Sequence, residues 1–206
     1  MIYLSCDNMK KIIFVISIFF IGLNLVYATD TVKYAACIDG DTFKIYLNDE
    51  LATVRLLAVD TPETKKEDKM AEYYANEASD YTCKKIKKAK KIVLEYDDNS
   101  KKFDKYDRIL AWVFIDGELL QRDLVSNGYA KVAYLYDDYK YTNILLEKQE
   151  AASAKNIGIW NDKARKNYEA NLASDSINIE KYENYEVFII TIIFLIMAIV
   201  LKYLRK

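Results

Sequence analysis

Two short acidic segments contain the side chains best suited to chemistry. An Asp-Gly-Asp turn at 39–41 delivers Asp41 to the start of an extended segment, and Asp60 and Glu63 flank a proline at the end of another. Calcium and other hard cations bind several oxygens, so Asp41 and Asp60 could supply two ligands and leave positions for water and a phosphate oxygen. Glu63 would then serve as the base that activates a water. The alternatives are an ordinary turn and a solvated acidic corner.

Arginine is scarce in this chain. Between residues 29 and 186 it occurs only at positions 55, 108, 122 and 165. Attack on a phosphodiester builds negative charge on phosphate oxygens, which a guanidinium matches with paired donors, so we expect Arg55 and Arg108 to bind a phosphate. Surface salt bridges are the alternative. Arg55 and Asp60 would face opposite sides of a regular strand, so the strand must bend or end between them.

Tyr134 and Tyr136 are two residues apart and would share one face of an extended segment. There they could stack on a base or a sugar of a nucleic acid. The chain has 18 tyrosines, so ordinary packing is the alternative for either ring taken alone.

The absence of histidine narrows the possible mechanisms. Without it there is no Ser-His-Asp triad, no Cys-His pair and no zinc site that depends on imidazole, so carboxylates must do the acid–base work. Residues 29–186 contain 25 lysines and arginines against 30 aspartates and glutamates, a net charge of −5. A polyanionic substrate would therefore be held by a bound cation and a few placed arginines rather than by overall attraction.

Two uncharged runs, 12–29 and 187–201, flank the expected domain, which spans 29–162. Residues 1–28 resemble a secretory signal peptide, with a basic start, an apolar stretch and small residues before a cleavage point; an uncleaved anchor is the alternative. Residues 187–204 are long and apolar enough for a transmembrane helix, and a buried core helix is the alternative. The basic residues after the second run predict a cytoplasmic C-terminus and an exported domain, held at the membrane by a polar tether at 163–186.

The exported part would keep two cysteines, Cys37 and Cys83. They are too few for a four-thiolate metal site but sufficient for one disulfide in an oxidising compartment. The sequence leaves their pairing open.

Periodicity predicts a mainly β, α+β domain. Residues 33–59 read as three strands joined by tight turns, and residues 92–96 and 109–115 as two more. Helical spacing of apolar residues predicts three helices, at 69–88, 119–126 and 141–154. Five short strands with a helix between the third and fourth favour a closed barrel of the oligonucleotide-binding type, the OB-fold.

Taken together, four segments resemble the staphylococcal nuclease family: residues 38–42, 55–64, 104–108 and 130–136. The resemblance extends from about residue 32 to residue 160 and implies the same five-stranded barrel with three helices. It implies calcium bound by Asp41, Asp60 and the Thr61 carbonyl, with Glu63 as the general base and Arg55 and Arg108 on the scissile phosphate. Contacts to phosphate and base would fall on Lys105, Tyr106, Tyr134 and Tyr136.

The activity implied by this resemblance is endonucleolytic cleavage of DNA or RNA at the 5′ P–O bond, which leaves 3′-phosphates, by a protein expected to be monomeric. One departure lies close to the chemistry, because Asp107 stands where the family usually has glycine, immediately before Arg108. Aspartate tolerates a positive φ better than most residues, but its charge would lie near the phosphate, so we expect reduced turnover.

Two other functions remain open at this stage. The same barrel could bind nucleic acid without cutting it, although all five key residues are present. Alternatively, the chain could be a calcium-dependent interaction protein at a membrane surface, for which the apolar span and the tether would be the main evidence.

Overall fold

A closed barrel of five strands forms the centre of the molecule. The computed structural model describes residues 28–64 and 70–204, so the predicted signal peptide lies outside the described residues except for Ala28. The barrel strands follow the order β3-β2-β1-β5-β6 and close through a parallel β3–β6 pairing, and a two-stranded sheet, β4-β8, lies beside them. The strands are β1 (Thr29–Cys37), β2 (Thr42–Leu47), β3 (Glu50–Leu56), β4 (Val59–Asp60), β5 (Ile92–Glu95), β6 (Ile109–Ile115), β7 (Glu118–Leu119) and β8 (Lys131–Val132).

The five predicted barrel strands are confirmed. The tight turn between β2 and β3 is built by Asn48 and Asp49, which both have positive φ, at 52° and 65°, as a two-residue hairpin requires. Its register pairs Thr42 with Arg55 across the two strands. The two-residue strands β4, β7 and β8 were not predicted, because segments so short show no periodicity.

The interior of the barrel is apolar and fully buried. Phe43, Ile45, Leu94 and Trp112 all have essentially no exposed surface. The one polar atom of the Trp112 ring is paired, since Nε1 donates to Asp97 Oδ2 at 2.8 Å. A closed, well-packed barrel gives the loops at its rim a rigid base.

Within residues 28–64 and 70–204, four helices accompany the barrel: α1 (Ala75–Lys88), α2 (Leu120–Ser126), α3 (Thr142–Ala154) and α4 (Asp162–Leu204). The first three match the predicted helices, with one correction. The helix predicted from residue 69 begins only at Ala75, and residues 70–74 are not helical. Tyr74 has a left-handed φ of 69°, which interrupts the helical path although the apolar spacing continues through it.

The last helix, α4, runs without a break through residues predicted as a polar tether and as an apolar span. Its first turns pack on the domain: the Tyr168 hydroxyl donates to the Ala71 carbonyl at 2.8 Å, and its ring lies 5.7 Å from the Tyr73 ring. Within the part of the chain that the structure describes, no helix has the length and apolarity needed to cross a membrane. The span predicted at 187–204 is therefore not confirmed.

Cys37 and Cys83 form a disulfide that joins the end of β1 to α1, with their Cα atoms 5.5 Å apart. The pairing that the sequence left open is thus present in the structure. Next to it, the Thr82 hydroxyl donates to the Gly40 carbonyl at 2.7 Å. The turn that carries Asp41 is therefore fastened to α1 by a covalent bond and a hydrogen bond.

Candidate active site

Arg55 lies at the end of β3 and is buried, with only 9% of its surface exposed. Nη1 donates to the Leu56 carbonyl at 3.0 Å and to the Val59 carbonyl at 2.7 Å. Nη2 lies 3.2 Å from both Asp41 Oδ2 and Asp60 Oδ1. One guanidinium thus holds the corner of the chain after β3 and brings two carboxylates together, which rules out a solvated surface salt bridge.

The bend expected between Arg55 and Asp60 is confirmed. Strand β3 ends at Leu56, and Ala58 then takes a positive φ of 61° before β4 begins. This reversal turns Asp60 to the same side as Arg55 despite the odd spacing in sequence. A left-handed alanine is unusual and costs free energy, so the surrounding contacts, including the hydrogen bond from Arg55 to Val59, must stabilise it.

Asp41 lies at the start of β2 and is 6% exposed. Its Oδ2 accepts hydrogen bonds from the Thr61 backbone N–H at 2.9 Å and the Thr61 hydroxyl at 3.0 Å, and Oδ1 accepts one from Thr42. Burial raises the pKa of Asp41 to about 6, although Arg55 and these hydrogen bonds act in the opposite direction. Gly40 allows the close approach, because a Cβ there would lie 2.7 Å from the Thr61 hydroxyl oxygen.

Asp60 is more open to solvent than Asp41. Besides Arg55, its carboxylate contacts Lys131 Nζ at 3.2 Å and accepts a hydrogen bond from the Tyr134 hydroxyl at 3.4 Å. The pairing of β4 with β8 sets Asp60 opposite Lys131. Asp60 therefore connects the buried Arg55–Asp41 pair to the aromatic side chains on the surface.

These oxygens fit a hard cation. Asp41 and Asp60 approach the same guanidinium nitrogen, and Thr61, which is hydrogen bonded to Asp41, follows Asp60 in sequence. Carboxylate and carbonyl oxygens are the ligands that calcium prefers. Among residues 28–64 and 70–204, no group of three or more histidine, cysteine, aspartate or glutamate side chains could hold a metal. A cation here would thus rely on two carboxylates, a carbonyl and water, and the calcium site remains a prediction.

Glu63 lies at the exposed rim of the site. Its backbone is bonded in both directions to Glu72: the Glu63 N–H donates to Glu72 Oε2 at 3.1 Å, and the Glu72 N–H donates to the Glu63 carbonyl at 3.0 Å. The loop that carries the predicted base is therefore positioned by the segment just before α1. Nothing in the spacing of the sequence indicated this role for Glu72.

The loop before β6 presents Arg108. Asp104 accepts hydrogen bonds from the Tyr106 and Arg108 N–H groups at 2.8 and 3.0 Å, and its Oδ2 contacts Arg108 Nε and Nη2, each at 2.7 Å. Burial acts to raise the pKa of Asp104, but the hydrogen bonds and the Arg108 charge outweigh it and lower that pKa. Asp107 has a φ of 58°, the positive value expected at a position that favours glycine.

Exposed aromatic rings flank the two arginines. Tyr106 is 66% exposed and Tyr136 82% exposed, while the Arg55 guanidinium lies 5.6 Å from the centre of the Tyr134 ring. The Tyr134 and Tyr136 rings are 6.5 Å apart. Tyr134 has a positive φ of 58°, so the two side chains meet through a turn and not, as expected, through strand alternation. Packing does not explain rings as exposed as these.

A single groove of about 440 Å³ brings eight of the ten predicted site residues together. Asp41 and Thr61, which are both buried, do not line it. Asp104 was not among the predicted site residues, because the four-residue spacing to Arg108 is a pairing signal on a helix and both residues lie in a loop. The eight are Arg55, Asp60, Glu63, Lys105, Tyr106, Arg108, Tyr134 and Tyr136.

The fold and the groove define a small barrel protein with two arginines and clustered carboxylates at its rim. Residues 53–162 match the family described as staphylococcal nuclease homologue, and the chain belongs to the staphylococcal nuclease family. It is 43% identical to endonuclease YncB of Bacillus subtilis over 125 residues. This aligned region covers 60% of this chain and 58% of that protein. It is 38% identical over 124 residues to the SPbeta prophage-derived endonuclease YokF of the same organism, covering 60% and 41%.

A third relative is matched over more of its own length. The thermonuclease of Staphylococcus hyicus is 33% identical over 132 residues, which is 64% of this chain and 76% of the relative. By contrast, the chain spans less than two thirds of each of the two Bacillus proteins.

Proposed function

We propose that this protein is a calcium-dependent endonuclease that hydrolyses DNA and RNA at the 5′ P–O bond and leaves 3′-phosphates. One observation carries the proposal: Arg55, Arg108, Asp60 and Glu63 converge on a single open groove. Paired guanidinium groups suit a phosphate, and carboxylates suit both a cation and a proton transfer. The endonuclease names of the relatives point the same way.

The cation would be held by Asp41, Asp60 and the Thr61 carbonyl. When bound, calcium supplies positive charge that stabilises the developing charge on a phosphate oxygen. With Asp41 and Asp60 as ligands of the cation, part of the Arg55 guanidinium would be available to the phosphate. In the structure both acids lie 3.2 Å from the same guanidinium nitrogen.

Arg55 and Arg108 orient the scissile phosphate, and Glu63 accepts a proton from the attacking water. The water oxygen bonds to phosphorus, the bond from phosphorus to the 5′ oxygen breaks, and the departing oxygen takes up a proton from the solvent-filled groove. The products are a 3′-phosphate and a 5′-hydroxyl. Lys105, Tyr106, Tyr134 and Tyr136 bind the phosphate and base of the neighbouring nucleotide by charge and by stacking.

A second candidate, a barrel that binds nucleic acid without cutting it, is favoured by one local feature. Asp107 stands beside Arg108, whose guanidinium is already paired with Asp104. If that pairing persists in the complex, Arg108 cannot reach the phosphate and turnover is lost while binding remains.

We further propose that the domain is exported and acts as a monomer outside the cytoplasm. The sequence of residues 1–28 and the disulfide between Cys37 and Cys83 support export, because disulfides persist in oxidising compartments. Anchoring through residues 187–204 rests on their sequence alone. Cell fractionation, with protease added to intact cells, tests both: protection of the domain from protease would contradict export, and recovery in the soluble fraction would contradict anchoring.

The first experiment is cleavage of single-stranded DNA and of RNA by the full chain, with calcium or with excess chelator. Glu63→Gln is the test variant, and Glu150→Gln, on the exposed side of α3 and outside the groove, is the matched control. We expect Glu63→Gln to lower the rate by about 10²- to 10⁴-fold, the usual contribution of a general base. Oligonucleotide binding without cleavage by the unmodified chain would favour the binding module.

A further inference from the structure

A second cavity, of about 480 Å³, adjoins the groove on the other side of Asp60. Asp60 lines both spaces, so the two meet at a proposed metal ligand. The second cavity is also lined by Thr61 and Pro62 from the loop that carries the predicted metal ligands. Whatever occupies it would lie next to the reacting group.

Aromatic side chains form much of the wall of this cavity. Tyr73, Trp160 and Tyr168 come from three separate parts of the chain. Tyr168 is fixed by its hydrogen bond to the Ala71 carbonyl at 2.8 Å and by its ring contact with Tyr73. The Tyr73 and Tyr168 rings are therefore held in place before any ligand arrives, which lowers the entropic cost of stacking a flat group on them.

Helix α4 contributes Arg165, Tyr168, Glu169 and Leu172 to this wall. All four lie beyond residues 53–162, the part that matches the family. The family match therefore does not assign a role to this cavity, which exists because α4 docks on the segment before α1.

The charges of the lining favour a neutral flat group over a free anion. Lys131 is paired with Asp60 at 3.2 Å, and Arg165 with Asp162 at 2.6 Å. Glu72 and Glu169 add two further carboxylates to the lining. Carboxylates repel a phosphate but accept hydrogen bonds from the amino groups of bases, and aromatic walls stack on any base.

A polymeric substrate must continue on both sides of the phosphate that is cut. The groove, with its exposed tyrosines at 106, 134 and 136, accommodates the nucleotide on one side. We propose that the second cavity is a subsite for the nucleotide on the opposite side, and that it takes the base of a single-stranded substrate against Trp160 and the Tyr73–Tyr168 pair. This subsite rests on the proposed function, and it makes α4 part of the substrate-binding surface.

The test compares two substrates of the full chain with calcium. A nucleoside p-nitrophenyl phosphate fills the groove only, whereas a single-stranded octanucleotide reaches both spaces. Tyr73→Leu removes a wall ring, Tyr73→Phe keeps it as the matched control, and Leu172→Trp fills the cavity from α4. Base stacking is typically worth about 1–3 kcal/mol, so we expect Tyr73→Leu to lower kcat/KM for the octanucleotide by roughly 5- to 150-fold.

Leu172→Trp should produce a loss of the same kind, and both variants should leave kcat/KM for the small ester unchanged. Equal losses on both substrates would show that Tyr73 only supports the Glu63 loop, and no loss on the octanucleotide would show that the cavity is not used; either result overturns the subsite. If the unmodified chain cuts neither substrate, the proposed activity fails. The subsite is then judged by the Kd of the octanucleotide, which Tyr73→Leu must raise by the same factor.

Discussion

Arg55 offers the sharpest test of how the site is held together. Arg55→Ala removes the donor to the Leu56 and Val59 carbonyls and the cation beside Asp41 and Asp60. We therefore expect a large loss of folding stability in addition to any loss of activity. The reason is that the variant leaves two neighbouring carboxylates without their shared partner, and one of them is almost completely buried.

The size of the loss follows from the burial of the group. Removing one partner of a buried ion pair typically costs about 3–5 kcal/mol, and hydrogen bonds to a charged donor are worth roughly 1.5–3 kcal/mol each, without being additive. Because Asp60 is partly solvated, we expect about 3–4 kcal/mol for Arg55→Ala at neutral pH without metal. Adding Asp41→Asn removes the most buried of the orphaned charges and should recover at least about 1 kcal/mol.

The assay is urea unfolding in the presence of a chelator. Arg122→Ala is the matched control, since Arg122 is paired with the exposed Glu118 and its replacement should cost less than about 1 kcal/mol. Two results would refute the reasoning. One is an Arg55→Ala variant as stable as Arg122→Ala; the other is a double variant, Arg55→Ala with Asp41→Asn, whose loss equals the sum of the two single losses.

Three further outcomes are expected. Replacing Cys37 and Cys83 by serine removes a disulfide that links residues 46 apart in sequence, and should lower the free energy of unfolding by about 4 kcal/mol. Reductant should shift the urea midpoint of the unmodified chain but not that of the variant. The folded-state pKa of Asp104 is lowered, so its ionised carboxylate adds to folding stability at neutral pH. This contribution is lost as the pH falls below about 4. Asp104→Asn should thus be less stable than the unmodified chain at pH 7, with a gap that narrows at pH 3; a constant gap would contradict this. Asp107→Gly, at a φ of 58°, should raise the rate of DNA cleavage without loss of stability. An unchanged or lower rate would contradict the hypothesis that the charge of Asp107 slows turnover.

The barrel was predictable because its longer strands alternate or run apolar over five or more residues. In β6, for example, five of seven residues are buried, and such a run of branched and aromatic residues reads as a strand without further information. The predicted helix start at residue 69 was wrong because Tyr73 and Tyr74 continue the apolar spacing of α1 although they lie outside the helix. Spacing reports which residues are apolar, not whether the backbone between them is helical.

Most of the residues predicted for the site line the candidate groove, but the contacts between them were not predictable. Eight of the ten predicted residues lie along it, as the motifs suggested. The hydrogen bonds between Glu63 and Glu72 and the contact of Tyr168 with Ala71 join parts of the chain that no local pattern relates. Such contacts depend on how the helices dock on the closed barrel, which a single sequence does not show.

Helix α4 is long and continuous, so it behaves as one stiff element. Its 43 residues would extend about 65 Å at the usual helical rise, whereas a flexible coil of that length would average roughly 36 Å and wander in all directions. Its first turns touch the segment that holds the Glu63 loop, through Tyr168 and Ala71. A force on the far end of α4 would therefore act on the segment beside the groove.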